Sequence, residues 1–375
     1  MRSLTVLTLL AGLALPLGAT EQVSVKDLAM KLANSHSHQD GRLARELYNL
    51  RLTERLSTAR LVALEAGLPG EESRHALLAL ADSSAFLNLP PADISAAPPL
   101  DAAAQQELIQ RAIGYLKKEI PLWPDFMATQ KEIQFSDAPA KTPKKSTKEP
   151  DDRLHIVYES SATVRFLGGK EELSPGPMVG KTAAPARATL AVQGVFGPIF
   201  SVALKDVLVS RPSWNHWESG VAGPMAVFQY RVPQDSSHYV VQDSENQGIL
   251  APVAAYHGQI GLDPSTGAIL RLTLIAEQRP NSPVARADIL IEYSPQKLGG
   301  KSYICPKKSV AVSLARDEVP LEGLYTYPIS SLPPFKLELN DTDYADYHLF
   351  RTEMHILPAG APADGPAPPP DHPQR

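Results

Sequence analysis

Trp214-Asn215-His216-Trp217-Glu218 is the densest group of chemistry-bearing side chains in the sequence. It places two of the three tryptophans beside an imidazole and a carboxylate. Successive side chains of a strand point to opposite faces. Trp214, His216 and Glu218 are therefore expected on one face, and Asn215 and Trp217 on the other. Paired indoles either wall an apolar ligand pocket or fill a core and cover a sheet edge. Trp214 and Trp217 are the candidate ligand-binding residues.

Other motifs fall short of their chemistry. Gly180-Lys181-Thr182 ends like a phosphate-binding loop, but only three residues separate Gly176 from Gly180. Pro175 stands where the first glycine belongs, and Pro177 removes a backbone donor from the wrap around the phosphates. His36-Ser37-His38 offers two imidazoles, with no neighbouring Cys or Glu-x-x-His to complete a metal site. Asn340-Asp341-Thr342-Asp343-Tyr344-Ala345-Asp346 is acidic, yet it lacks the glycine and the later glutamate of a helix-loop-helix calcium site. No Gly-x-Ser-x-Gly elbow occurs. The expectation is a protein that is not an enzyme, with no catalytic residue, no cofactor and no metal.

The N-terminus points to a compartment. Arg2 precedes an apolar run from Leu4 to Leu15, and Pro16-Leu17-Gly18-Ala19 ends it before polar residues. This is the order of a secretory signal peptide, residues 1–19, with cleavage near Ala19. About twelve apolar residues are too few to span a bilayer, so no stable transmembrane anchor is expected after cleavage. Export to the periplasm or outside the cell removes ATP, NADH and chromosomal DNA as partners. Charge agrees: 36 Lys and Arg stand against 41 Asp and Glu, a net of −5, without the basic excess of a nucleic-acid binder. Cys305 is the lone cysteine, so no internal disulfide can form and core packing must hold the fold. Its strand-like surroundings predict a small buried hydrophobe.

The elements that must position these residues divide in two. Residues 20–121 read as helical. Leu43, Leu47 and Leu50 share a face of one helix. A second runs from about Ser57 to Ala66, a third from Glu71 to Leu87, and a fourth from an Asp101 cap to Glu119, where Pro121 and Pro124 stop it. From Asp125 the pattern shifts to period two. Residues 122–357 read as an antiparallel β domain, with strands from Phe126 to Phe135 and Leu154 to Phe166. A mobile basic loop at 138–153 lies between them, and 173–188 reads as loop. Gly197 to Val209 reads as a helix. Short strands follow at 214–218, 225–232, 238–242, 253–262, 268–277, 287–293, 302–313 and 336–357, the last read as one or two. Asp263-Pro264-Ser265-Thr266-Gly267 and Leu298-Gly299-Gly300-Lys301 are hairpin turns. Residues 358–375 hold seven prolines and read as a disordered tail. The fold class is α+β: a helical N-terminal region followed by a curled antiparallel β-sheet, half-barrel-like.

Two resemblances follow. The stretches at 52–57, 76–87, Gly194-Val195-Phe196-Gly197-Pro198-Ile199, Trp214 to Glu218, and 298–306 resemble an uncharacterised family of exported bacterial proteins. That resemblance implies no function. In the C-terminal two-thirds, the strand, Asp-Pro-x-Thr-Gly turn and strand, followed by further antiparallel strands, is similar to the lipoprotein-carrier and outer-membrane lipoprotein-sorting proteins. The resemblance implies a half-barrel closed by helices over an apolar cavity, with 256–262 and 268–275 as neighbouring strands. It also implies binding of a lipid or lipoprotein acyl chain. The helical N-terminal region is additional to that pattern. The alternative expectation is a protein-interaction module of the envelope, docking an envelope protein partner, with its core filled.

Overall fold

A computed structural model describes residues 21–34, 39–137, 153–175, 195, 198–220, 223–239, 253–278, 282, 284–316 and 334–350. The expected signal peptide at 1–19, the proline-rich segment 358–375, His36, His38 and Gly180-Lys181-Thr182 lie outside these residues. So does the basic segment 138–153, apart from Arg153.

The N-terminal region holds helices α1 (Val25–Ala33), α2 (Asp40–Tyr48), α3 (Thr58–Glu65) and α4 (Glu71–Ser83), with a parallel pair of short strands, β1 (Glu21–Val23) and β2 (Leu50–Leu52). Helix α1 went unread in the sequence, although Ser24 and Asp27 form a reciprocal capping box at its start. Helix α4 begins at Gly70, which has no capping side chain. The cap comes from α2, where Asp40 accepts from Glu72 N (3.0 Å) and Ser73 N (2.9 Å). The leucine stripes of α1, α2 and α4 meet in a core of Leu28, Leu43, Leu47, Leu77 and Leu80. Helix α4 ends at Ser83, four residues before the expected Leu87.

A long helix, α5 (Ala102–Lys118), leads into the sheet. Asp101 caps it by accepting from Ala104 N at 2.8 Å. The fold is α+β, with ten antiparallel strands in one curled, open sheet. They are β3 (Phe126–Ser136), β4 (His155–Leu167), β5 (Lys170–Pro175), β6 (Ser213–Gly220), β7 (Gly223–Val232), β8 (Ala255–Leu262), β9 (Ile269–Glu277), β10 (Val284–Leu298), β11 (Lys301–Arg316) and β12 (Phe335–Leu349). Their spatial order is β5-β4-β3-β12-β11-β10-β9-β8-β7-β6. The chain thus enters mid-sheet at β3 and runs out to the β5 edge. It restarts at the β6 edge and winds back until β12 closes on β3.

Several boundaries differ from the sequence reading. Lys170–Pro175 is a strand where loop was expected from 173, because it pairs back onto β4. Lys336 to Leu349 is one strand; a bulge at Asp346, with φ 51°, bends it without ending it. His238 and Tyr239 are not in a strand, since Asp206 holds the His238 backbone N–H. Both hairpin turns form. Gly299 and Gly300 take φ 57° and 85°, as a two-glycine turn requires. Asp263 Oδ1 accepts from Ser265 N (2.7 Å) and Thr266 N (3.2 Å) in the other turn. Gly267 completes it at φ 77°, and a Cβ there would lie 2.6 Å from Ala112 N of α5.

Both faces of the sheet are covered. The inner face carries Phe126, Phe166, Phe228, Ile260, Leu272, Ile291, Tyr293 and Tyr344 and packs against α5 and a short helix, α6 (Pro198–Val202). Helix α6 runs on into a π-helical turn at Ala203–Val207. The outer face carries Phe135, Leu290, Val310, Val312 and Leu339 and packs against α4.

Candidate functional site

The β6–β7 register slips between Trp214 and His216. Trp214 stands opposite Phe228, His216 opposite Val227, Trp217 opposite Ala226 and Glu218 opposite Met225. Asn215 is the extra residue of a β-bulge. Phe228 and Ala226 belong to the inner core, whereas Met225 and Val227 belong to a separate outer cluster. The expected alternation is corrected accordingly: Trp214 and Trp217 share the inner face, and His216 and Glu218 share the outer one.

The two indoles meet edge to face, with ring centroids 5.1 Å apart, and Trp214 meets Phe228 the same way at 5.6 Å. Trp217 Nε1 donates to the Pro98 carbonyl at 2.8 Å, and Ser95 N donates to the Trp217 carbonyl at 3.3 Å. Both rings are half-buried at the β6 edge of the sheet. They form the rim of the inner face, tied to the loop before α5.

Deeper on that face the packing is aromatic. Trp123 meets Phe126, Phe166 and Phe200 edge to face, with centroids 6.1, 5.8 and 5.6 Å away, and Phe200 of α6 lies 4.9 Å from Tyr293. Two donors here, Trp123 Nε1 and Tyr239 Oη, are buried with no hydrogen-bond partner among the described residues. Buried polar groups are normally paired. Asp206, in the π-helical turn, has a fully buried side chain. Its carboxylate accepts from His238 N (2.7 Å) and Tyr256 Oη (3.0 Å) and pairs with His238 Nδ1 (2.5 Å). This pin fixes the turn to β8. An imidazole oriented by a carboxylate could serve acid–base chemistry. The adjacent Ser237 Oγ, however, accepts from Tyr239 N at 3.0 Å.

The outer face carries charge. Glu218 accepts from Arg55 Nη2 at 2.6 Å and Arg271 Nη1 at 2.5 Å, and His216 Nε2 lies 3.3 Å away. Burial alone would raise the Glu218 carboxyl. The His216 hydrogen bond and the charges of Arg271 and Arg55 outweigh it and hold the group well below its ordinary range. Burial lowers the Arg55 guanidinium to about 10, helped by repulsion from Arg271. Further along, Lys308 of β11 pairs with Asp341 of β12 and, at 2.9 Å, with Asp82 of α4. Within the acidic run at 340–346, Asp341 is thus part of a buried anchor for the helical region, whereas Asp343 and Asp346 are exposed. Cys305 is fully buried, and burial pushes its thiol up to about 12.

The sequence reading missed the Glu218 and Asp206 networks. The available signals were charges set inside otherwise apolar strands, such as Arg271 and Lys308, which demand buried partners. Among the described residues no three His, Cys, Asp or Glu side chains are grouped to hold a metal ion. No described helix is long and apolar enough to cross a membrane.

Comparisons with family models, curated proteins and solved structures find no match to this chain.

Proposed function

We propose that this is an exported, non-enzymatic envelope protein that binds an apolar ligand, such as a lipid or lipoprotein acyl chain, on the inner face of its sheet. The observation that carries this reading is the aromatic box of Trp123, Phe126, Phe166, Phe200 and Tyr293 beneath α6, where Trp123 Nε1 has no partner among the described residues. Helix α6 is only five residues long and ends in a π-helical turn. Turns of that kind recur at functional sites. Lifting α6 would exchange Phe200 for an acyl chain against the same rings, each buried CH₂ contributing about 0.8 kcal/mol. An ester or carboxyl oxygen on the chain could accept from Trp123 Nε1. The similarity in element order to lipoprotein carriers supports the reading by fold-level analogy alone.

A second reading rests on the same face. Its own side chains fill it, as they would in a protein-interaction module with a closed core, and the half-buried Trp214 and Trp217 would then form part of a docking surface for an envelope partner. Mass spectrometry of an organic extract separates the two, using protein purified gently from its native envelope fraction. A stoichiometric lipid or lipopeptide supports the carrier. A clean extract together with no uptake of added fatty acid rejects it in favour of the module.

A further inference from the structure

A cleft of about 560 Å³ opens on the outer face, between the residues following α4 and the strands β7 to β9. Its size is that of a small-molecule site. Its chemistry is unlike that of the inner face. Arg211, Arg231 and His257 line it, and among the described lining residues there is no carboxylate, although Glu277 at its border pairs with Arg231 and His257. The amides of Gln229 and Gln259 stand between them, and Phe86 forms part of the opposite wall. Arg271 Nη2 donates to Gln259 Oε1 at 3.2 Å, which leaves the Gln259 NH₂ as the donor available to the cleft.

Arg211 is the unusual member. It holds φ 59°, in the left-handed region that non-glycine residues avoid. It also precedes Pro212, a position normally forced to extended backbone. No partner binds its guanidinium among the described residues. That backbone conformation ends the turn after the π-helical segment, as left-handed residues commonly do, while the exposed side chain lines the cleft. Arg231 is largely exposed on the neighbouring strand. Glu277 stands behind it, its Oε1 3.3 Å from Arg231 and 3.2 Å from His257, and so orients both.

We propose that this cleft binds a small hydroxylated anion, a sugar phosphate or a sugar acid. The two guanidinium groups would take the phosphate or carboxylate oxygens, and the glutamine amides would take the hydroxyls. The site is independent of the apolar inner face, so either assignment can fail without the other.

Isothermal titration of the purified full chain tests it with three probes: glucose 6-phosphate, glucuronate and glucose. At least one anion is expected to bind saturably and at least tenfold more tightly than glucose. The stronger anion then tells a phosphorylated sugar from an acidic one. Arg211→Gly and Arg231→Gln are each expected to weaken that binding tenfold or more. Arg211→Gly should also melt no lower than the parent, since glycine adopts this φ freely. The inference is overturned if neither anion binds better than glucose, or if both folded variants keep the parent affinity within twofold.

Discussion

Arg271 on β9 places Nη1 2.5 Å from Oε1 of Glu218 on β6, reaching over the two strands between them. Arg55, from the helical region, binds the other oxygen of the same carboxylate. One buried anion therefore holds the edge of the sheet and the N-terminal region together. Its loss strands two buried cations, which typically costs about 3–5 kcal/mol. Glu218→Gln should lower stability by that order, measured by urea unfolding at pH 7.

The same carboxylate sets a pH dependence. Its folded pKa lies below the unfolded value of about 4.3. Its contribution is therefore complete above about pH 4.3 and is lost as pH falls through the folded value. The stability gap between the parent and Glu218→Gln should narrow as pH falls from about 5 to below about 4. A gap that widens across that range would contradict the assignment.

Lys308 is the opposite case, one cation serving Asp82 and Asp341. Burial and the neighbouring Asp341 raise the Asp82 pKa even with the lysine present. Lys308→Met should cost about 3 kcal/mol at pH 7. Without the cation the Asp82 pKa rises further, and stability falls as pH climbs through it. The variant should recover part of its deficit between pH 7 and pH 5, as thermal melts at both values would show.

Gly267 meets two demands at once, a positive φ and the backbone of α5 at 2.6 Å. Gly267→Ala should destabilise by about 2–3 kcal/mol. Gly300→Ala, with a positive φ but open space around it, should cost less. Equal losses in the two variants would show that the approach of α5 carries no energetic weight.

Trp217→Ala removes both an indole from the rim and a hydrogen bond to Pro98. If that rim borders the apolar site, the variant should bind a fluorescent fatty-acid probe several-fold more weakly. Trp217→Phe should retain most of the affinity, because it keeps an aromatic surface. Unchanged binding in a folded Trp217→Ala protein would exclude the residue from the site.

Cys305 should react negligibly with a thiol reagent at pH 8 in the native protein and fully after denaturation, because burial both shields it and suppresses the thiolate.

Much of the sheet was legible because strand periodicity and turn chemistry are local. The Asp263–Gly267 and Gly299–Gly300 turns required particular backbone angles, and residue types with those preferences stood there. What remained hidden was non-local. Nothing in Trp214-Asn215-His216 announces a bulge, which arises from the pairing of β6 with β7. Its consequence was large, since it moved Trp214 onto the face of Trp217. Helix α1 had a readable Ser24–Asp27 cap but only nine residues of pattern. The partners of Glu218 lie 163 and 53 residues away in sequence, beyond the reach of any spacing rule.

The pairing of β3 with β12 joins segments about 200 residues apart. A chain emerging N-terminus first can assemble the β3–β4–β5 hairpins early, but the exposed side of β3 must wait for the last strand to appear. Until then it offers an unsatisfied row of amides and carbonyls to any passing strand. The interval between the appearance of β3 and that of β12 is thus the period of greatest aggregation risk. A truncation before residue 335 would prolong it indefinitely, leaving a protein with most of its strands and a permanent adhesive seam at the middle of the sheet.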